Sequence, residues 1–190
     1  WETIAPAALP YGENWHVPRE MTASDIAEVV DAFRSAAARA DAAGFDVIDV
    51  YAGHGFLLHQ FLSPLANERE DAYGGNLASR MRLSLEVADA IREVWPEGKA
   101  LFFRVSATDW IDGGWTLEDT VILARELKDH GVDLLDCTTG GIGGAVKPAH
   151  MPIHPGFQAP FAAAVREKTE IATMAVGMIW DPELADGLVR

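Results

Sequence analysis

A tyrosine and a histidine stand together where an apolar segment of the chain gives way to glycines. Tyr51 closes the segment 45–51, and His54 lies between Gly53 and Gly55. A phenol and an imidazole at this spacing can exchange a proton, and glycines allow the backbone to turn sharply beside a ligand. Because α/β barrels place catalytic groups at the carboxyl ends of their strands, we predict an active site at this junction.

A polar loop over residues 63–75 follows this junction. Loops of this length without secondary structure are usually functional or disordered, and the proline, tyrosine and paired glycines of this one favour order. We expect its polar residues to hold the loop through ion pairs and hydrogen bonds, and thereby to support His54. These residues are Asn67, Arg69, Asp71 and, further along the chain, Arg80.

Composition and charge narrow the possible functions. Of the 190 residues, 49% are hydrophobic and 23% are charged, which predicts one globular domain over residues 1–190. The formal net charge of -14 opposes binding to nucleic acid or to anionic lipid. The only cysteine, Cys137, excludes an internal disulfide and is expected to be a buried thiol in a reducing compartment. Because no apolar run is long enough to cross a membrane, we expect a soluble, cytoplasmic protein.

Apolar periodicity predicts a helix followed by four strand–helix units. The predicted helices lie at 24–43, from 76 up to Pro96, from 116 up to Gly131, at 158–168 and from 181 onward, and the predicted strands at 45–51, 100–106, 132–137 and 171–176. Strands apolar on both faces are typical of a parallel sheet covered by helices. Length favours a doubly wound sheet over a (β/α)8 barrel of about 250 residues, but no Gly-x-Gly-x-x-Gly turn is present.

Several motifs in a fixed order decide between these architectures. They are His54-Gly55, Gln60 to Pro64, Asn67-x-Arg69-x-Asp71-x-Tyr73-Gly74-Gly75, Phe103 to Ala107, Gly131 to Cys137, Pro155 to Ala162 and Ala175 to Ile179. Together they resemble the old yellow enzyme family of FMN-dependent, NAD(P)H-using oxidoreductases. The resemblance covers nearly the whole chain.

The resemblance implies a (β/α)8 TIM barrel of which this chain holds only a part. The matching motifs run from helix 3 through strand 7 and helix 7 of the family's barrel. A partial barrel exposes two strand edges and an apolar inner face, which favours self-association. We therefore expect the chain to be a fragment of a longer protein, or to complete its barrel with another copy or segment as a homo-oligomer.

The resemblance also implies how the cofactor is held. Arg104 corresponds to the family's arginine beside the N1 and O2 edge of FMN, where a fixed cation stabilises the charge of reduced flavin. The alternative is a structural ion pair with Asp49 or Asp136. Val176 and Gly177 end the seventh strand, and their backbone N–H groups are expected to face the FMN phosphate. Either of two histidines, His150 and His154, is a weaker candidate for the pocket.

The substrate side of the site departs from the family's usual residues. His54 matches the second member of the pair that donates hydrogen bonds to a substrate oxygen, but Tyr51 stands where the first member is usually histidine. Phe56 replaces the tyrosine that delivers a proton to the substrate. A Tyr-x-x-His pair also occurs in the related trimethylamine dehydrogenase branch, which oxidises amines. Residues 140–156 lack the aspartate that this branch uses, and one cysteine leaves no ligand set for an iron–sulfur cluster.

Three functional hypotheses remain open at this point. The first is an FMN-dependent NAD(P)H oxidoreductase that passes hydride to an activated alkene or a similar small molecule, with His54 as the donor to substrate. The second is an amine or N-demethylating dehydrogenase in which Tyr51 and His54 relay protons. The third is a non-catalytic partial barrel that binds no flavin by itself. None of them involves a metal site, a membrane or nucleic acid.

Overall fold

The computed structural model describes residues 1–143 and 151–190. His150 therefore lies outside the described residues. The strands are β1 (Ile4–Ala5), β2 (Arg19–Glu20), β3 (Val47–Ala52), β4 (Ala100–Ser106), β5 (Leu134–Thr138) and β6 (Ala172–Ala175). The helices are α1 (Ala23–Ala42), α2 (Leu57–Leu62), α3 (Leu77–Arg92), α4 (Leu117–Asp129), α5 (Ala159–Thr169) and α6 (Pro182–Val189). The predicted helix followed by four strand–helix units is thus present.

Strands β3 to β6 form one parallel sheet whose spatial order is the chain order. Each strand reaches its neighbour through a helix, as parallel pairing requires. A doubly wound sheet would reverse its strand order at a switch point, and this sheet does not. The topology therefore matches consecutive units of a barrel wall. The register places Tyr51, Arg104, Asp136 and Met174 side by side across the four strands.

Local capping sets most of the helix boundaries. Thr22 and Thr116 each form a capping box with the aspartate three residues later, and Asn76 accepts a hydrogen bond from the backbone N–H of Ser79. Gly44 follows α1 with a φ of 84°, a left-handed conformation that glycine adopts without strain. These ends lie within one or two residues of the boundaries predicted from the sequence.

The two faces of the sheet differ in burial. Seven side chains on one face pack against the helices, and each is at most 3% exposed: Val50, Ala52, Leu101, Phe103, Val105, Leu135 and Cys137. On the other face, Val47 and Met174 remain exposed. Helices therefore cover one face of the described sheet, and the other face is open, as expected for part of a barrel wall. Burial raises the pKa of Cys137 to about 12, which agrees with a structural thiol.

Three features of the fold were absent from the sequence-based prediction. Strands β1 and β2 pair in parallel before α1, and helix α2 follows the β3 turn directly. Strand β3 begins at Val47 rather than Phe45, and Phe45 is exposed.

Within the described part of the chain, no helix is long and apolar enough to cross a membrane.

Candidate active site

The turn after β3 brings His54 over the carboxyl end of the sheet. His54 has a φ of 52°, an uncommon value for a residue with a side chain. Its backbone N–H donates to Ser106 Oγ at 2.9 Å, and that hydroxyl donates to the carbonyl of Gly140 at 2.7 Å. The end of β4 therefore ties the β3 turn to the loop after β5. Strained backbone of this kind is typical of functional sites.

Two glycines let the β3 turn and the β5 loop touch backbone to backbone. A Cβ on Gly55 would lie less than 3.0 Å from the carbonyl oxygen of Gly141. A Cβ on Gly141 would lie 2.7 Å from the carbonyl carbon of His54. Such distances are closer than real side chains tolerate, so glycine at both positions is required by packing and not only by φ.

Both ring nitrogens of His54 have protein partners. Nδ1 contacts the hydroxyl of Tyr51, and Nε2 lies 2.7 Å from Thr138 Oγ1. Burial lowers the pKa of His54, and the charge of Arg104 lowers it further. The imidazole is therefore neutral near pH 7.

Arg104 lies between an aromatic ring and a carboxylate on the open face of the sheet. Its guanidinium carbon is 5.3 Å from the centre of the Tyr51 ring, and its Nε is 3.3 Å from Asp136 Oδ2. The side chain of Asp136 is only 2% exposed. Among the described residues, Arg104 Nε and Asp136 Oδ1 are buried without a hydrogen-bond partner. A buried donor and a buried acceptor without hydrogen bonds, on the two central strands of the sheet, are consistent with a site for a polar ligand.

A second carboxylate, Asp49, lies two residues before Tyr51 on the same face. Burial and the repulsion of Asp136 raise the pKa of Asp49 to about 6, against the attraction of Arg104. Burial also raises the pKa of Asp136, with Arg104 opposing. The two acids therefore resist full ionisation beside a single arginine.

We expect the Asp49→Asn substitution to stabilise the chain at pH 8 and to have little effect at pH 4. The folded carboxyl holds its proton more tightly than the unfolded one, so stability falls as pH rises from about 4 to 6. Because the Asp49 carboxyl is only partly buried and water screens it, the gain at pH 8 should stay below about 1 kcal/mol. Thermal unfolding at several pH values measures it, and a difference that is constant with pH would contradict this account.

A buried polar cluster supports the β3 turn from below. His59 Nδ1 accepts the backbone N–H of Gly55 at 2.9 Å, and its Nε2 donates to Asp109 Oδ1 at 2.9 Å. Asp109 Oδ2 also accepts from Ser63 Oγ at 2.6 Å and from the N–H of Trp115 at 2.8 Å. His59 is fully buried. These contacts give it a packing role.

The polar loop is held by the residues predicted to hold it. Asn67 donates to the carbonyls of Phe61 and Tyr73, and Arg80 donates to Leu62 and Gly75. A further residue, Arg69, is 7% exposed. It donates to the carbonyls of Pro6 and Met21 and pairs with Asp71. The loop is thus an ordered support that also fixes the N-terminal segment.

The predicted phosphate-binding residues lie at the end of β6. Gly177 has a φ of 107°, and its carbonyl accepts the N–H of Gly156 at 2.8 Å. A Cβ at Gly177 would lie 2.9 Å from Gln158 Nε2. Val176 precedes it and is partly buried. His154 is exposed, and its Nδ1 lies 3.1 Å from the carbonyl oxygen of Pro155. Phosphate binding at Val176 and Gly177 stays a prediction.

The structure brings Tyr51, His54 and Arg104 together, as the sequence suggested. It adds Thr138 and Gln158, to which the sequence assigned no role: Gln158 lies in the motif Pro155 to Ala162, but a threonine at a strand end and a glutamine before a helix are ordinary residues there. A cavity of about 360 Å³ opens beside Gly55 and is lined by the N-terminal segment and Ile142. Within residues 1–143 and 151–190, no group of three or more His, Cys, Asp or Glu is placed to hold a metal.

The parallel strands lie in chain order, each is followed by a helix, and a polar cluster lies at their carboxyl ends. This arrangement defines the chain as part of an α/β-barrel enzyme. A sequence profile of the NADH:flavin oxidoreductase / NADH oxidase family matches residues 3–190. The chain belongs to this family, and its resemblance to old yellow enzymes is confirmed.

Individual relatives agree with this assignment. An NADPH dehydrogenase of Geobacillus sp. (strain WCH70) is 46% identical over 189 residues, which are 100% of this chain and 54% of that protein. Morphinone reductase in complex with tetrahydroNAD superposes with a TM-score of 0.78 at 26% identity, over 100% of this chain and 53% of that one. Histamine dehydrogenase from Rhizobium sp. 4-9 superposes with a TM-score of 0.83 at 28% sequence identity, over 100% of this chain and 28% of that one. The chain spans about half the length of the curated relatives it matches, and the predicted partial TIM barrel is confirmed.

Proposed function

We propose that this chain forms one wall of an FMN-dependent NAD(P)H oxidoreductase that acts on small molecules, and that residues 1–190 are one domain. The observation that carries the proposal is the meeting of Tyr51, His54 and Arg104 at the carboxyl end of the sheet. The family match and the name of the Geobacillus relative support it. A cytoplasmic location and self-association stay predictions from the sequence.

The residues present are compatible with FMN. Arg104 Nε is buried and makes no hydrogen bond although Asp136 Oδ2 lies 3.3 Å away, and Gly177 has a left-handed φ. We assign Arg104 to the flavin ring, and the backbone of Val176 and Gly177 to its phosphate. When bound, FMN supplies hydride transfer between the nicotinamide and the second substrate.

Tyr51 is the residue of this chain that contacts the second substrate. Its side chain is 39% exposed, while its ring is held edge-on by Phe56 at 4.9 Å and covered by the guanidinium of Arg104. The Tyr51 hydroxyl is hydrogen-bonded to His54 Nδ1. Because Phe56 cannot deliver a proton, the phenol of Tyr51 is the group left to hold or move a proton at the substrate.

A second candidate is the oxidation of an amine. The hydrogen bond between Tyr51 and a neutral His54 favours it, because a neutral imidazole can take the phenol proton and so let Tyr51 accept one from a substrate. The likeness to histamine dehydrogenase supports the same reading. The expected trimethylamine dehydrogenase-like chemistry remains a proposal on these grounds.

Retention of flavin and turnover by the full-length protein test the proposed function. We expect a yellow holoenzyme that oxidises NAD(P)H in the presence of an enone. Turnover of methylated amines without turnover of enones would favour the second candidate. If neither the full-length protein nor this chain bound FMN, the proposal of a flavin enzyme would be wrong and the non-catalytic hypothesis would stand.

We expect the Arg104→Ala substitution to weaken FMN binding by about 10- to 100-fold, the range for losing a hydrogen bond from a charged group. Titration of the apoprotein with FMN, followed by flavin fluorescence, measures this. Arg82→Ala is the matched control, because the Arg82 guanidinium bonds the carbonyl of Ala72 in the polar loop. Equal FMN affinity in both variants would remove Arg104 from the cofactor site.

A further inference from the structure

We propose that Gln158 is a positioning residue that sets the tautomer of His54 through Thr138, and thereby decides whether Tyr51 presents a hydrogen-bond acceptor or a donor to the substrate. The inference rests on the proposed role of Tyr51 and His54. It concerns three buried or partly buried groups that lie between the β3 turn and the start of α5.

The direction of the hydrogen bonds follows from Gln158. Its Oε1 is 3.1 Å from Thr138 Oγ1 and 2.6 Å from Thr139 Oγ1, and its side chain is largely buried. A carboxamide oxygen only accepts, so both threonine hydroxyls must donate to it. The single hydroxyl proton of Thr138 is thereby committed to Gln158.

Because this proton is committed to Gln158, the tautomer of His54 is fixed. Thr138 Oγ1 also lies 2.7 Å from His54 Nε2, and with its own proton used it can only accept there. Nε2 therefore carries the imidazole proton, and the neutral ring leaves Nδ1 as an acceptor. The partner of Nδ1 is the hydroxyl of Tyr51, which must donate to it.

This arrangement has a chemical consequence at Tyr51. With its proton directed to His54, the phenol oxygen offers lone pairs to a bound molecule and suits a substrate that presents an N–H or O–H group. In the opposite tautomer, Nδ1–H would donate to Tyr51, and the freed phenol hydroxyl would donate to a substrate carbonyl. The glutamine, about 100 residues from the tyrosine in the chain, thus selects between the two modes.

The orientation of the Gln158 side-chain amide determines the direction of the other hydrogen bonds. If its Nε2 faced the threonines, the amide would donate to Thr138, and Thr138 would donate to His54. Both threonine hydroxyls donate to the amide oxygen, while Nε2 lies against Gly177, where a Cβ would be only 2.9 Å away. Gln158 therefore also links the His54 chain to the predicted cofactor-phosphate residue.

Nitrogen NMR of the histidine rings tests the proposal without relying on activity. In the parent chain we expect His54 to be protonated at Nε2, with its signals identified by their loss in His54→Gln. Gln158→Leu removes the acceptor, and we expect the ratio of the two tautomers to shift by about tenfold toward Nδ1–H, the equivalent of one net hydrogen bond. Gln158→Glu keeps an acceptor at Oε1 and should retain Nε2–H.

A second pair of variants covers the case in which Gln158→Leu does not fold. Thr138→Val removes the linking hydroxyl and should shift the His54 tautomer in the same way, whereas Thr138→Ser should restore it. His59, whose ring bonds Gly55 and Asp109, serves as an internal reference that should not change. A parent His54 protonated at Nδ1, or a tautomer ratio unmoved by both Gln158→Leu and Thr138→Val, would overturn the proposal.

These outcomes separate this inference from the proposed function. The tautomer is measured in the apoprotein as well as in the holoenzyme. If the chain bound no flavin but Gln158→Leu shifted the His54 ratio, the positioning role would stand and the oxidoreductase proposal would fall. If flavin bound and turnover occurred while the tautomer ratio stayed fixed, the oxidoreductase proposal would stand and the positioning role of Gln158 would fall.

Discussion

Replacing Tyr51 with Phe is expected to lower turnover of the second substrate by about 100-fold or more in the full-length holoenzyme, the usual contribution of a positioned acid or base. The substitution removes only the hydroxyl that contacts His54. The ring contacts with Phe56 and Arg104 need no hydroxyl, so the fold and the FMN content should not change. Single-turnover reoxidation of the reduced enzyme by substrate isolates this step from NAD(P)H binding.

The matched control is Tyr73→Phe, which removes a phenol hydroxyl that bonds Glu86 in the polar loop. We expect that variant to turn over at close to the parent rate. Reduction by NAD(P)H should proceed at similar rates in all three proteins, because the proposal assigns Tyr51 to the second substrate. Full activity of Tyr51→Phe would remove this residue from the chemistry.

Replacing Gly141 with Ala is expected to cost about 3 kcal/mol or more of the free energy of unfolding, at the upper end of single substitutions. Gly141 has a φ of 93°, and its Cβ would lie 2.7 Å from the carbonyl carbon of His54. Backbone atoms cannot rotate away as a side chain would, so the β3 turn and the β5 loop must separate. Denaturant unfolding of the chain measures the cost.

Gly75→Ala is the control for backbone strain alone. Gly75 has a φ of 75°, and nothing lies within 4 Å of its Cβ position. A left-handed alanine there should cost about 1 to 2 kcal/mol. Because the separation in Gly141→Ala also displaces His54 from Thr138, the NMR signals of His54 should change in that variant only. Equal costs at the two glycines would show that the loops do not pack as described.

Much of the fold could be predicted because its signals are local. The capping boxes at Thr22 and Thr116 and the left-handed glycines after helices involve residues that are neighbours in the chain. Helix α2 and the pair β1–β2 were missed for the opposite reason. The six-residue α2 is too short for its periodicity to register, and β1 pairs with a strand 15 residues away.

The candidate site was predicted only in part. Motif order placed Tyr51, His54 and Arg104 at strand ends, and the parallel register confirms that Tyr51 faces Arg104 across β3 and β4. The pairing of Arg104 with Asp136 rather than Asp49 required the structure, since both carboxylates lie on the same face. The open inner face was expected only from the resemblance, because apolar strands look alike whether one face or two are covered.

The sequence by itself determined the family, the alternation of helices and strands and the exchange of two usual site residues for Tyr51 and Phe56. Tertiary structure alone decided the proton arrangement, because Thr138 and Gln158 lie 84 and 104 residues from His54 and meet it only when the sheet forms. A residue type and its neighbours fix local backbone preferences. Which ring nitrogen carries a proton depends on partners in space, and no local pattern encodes them.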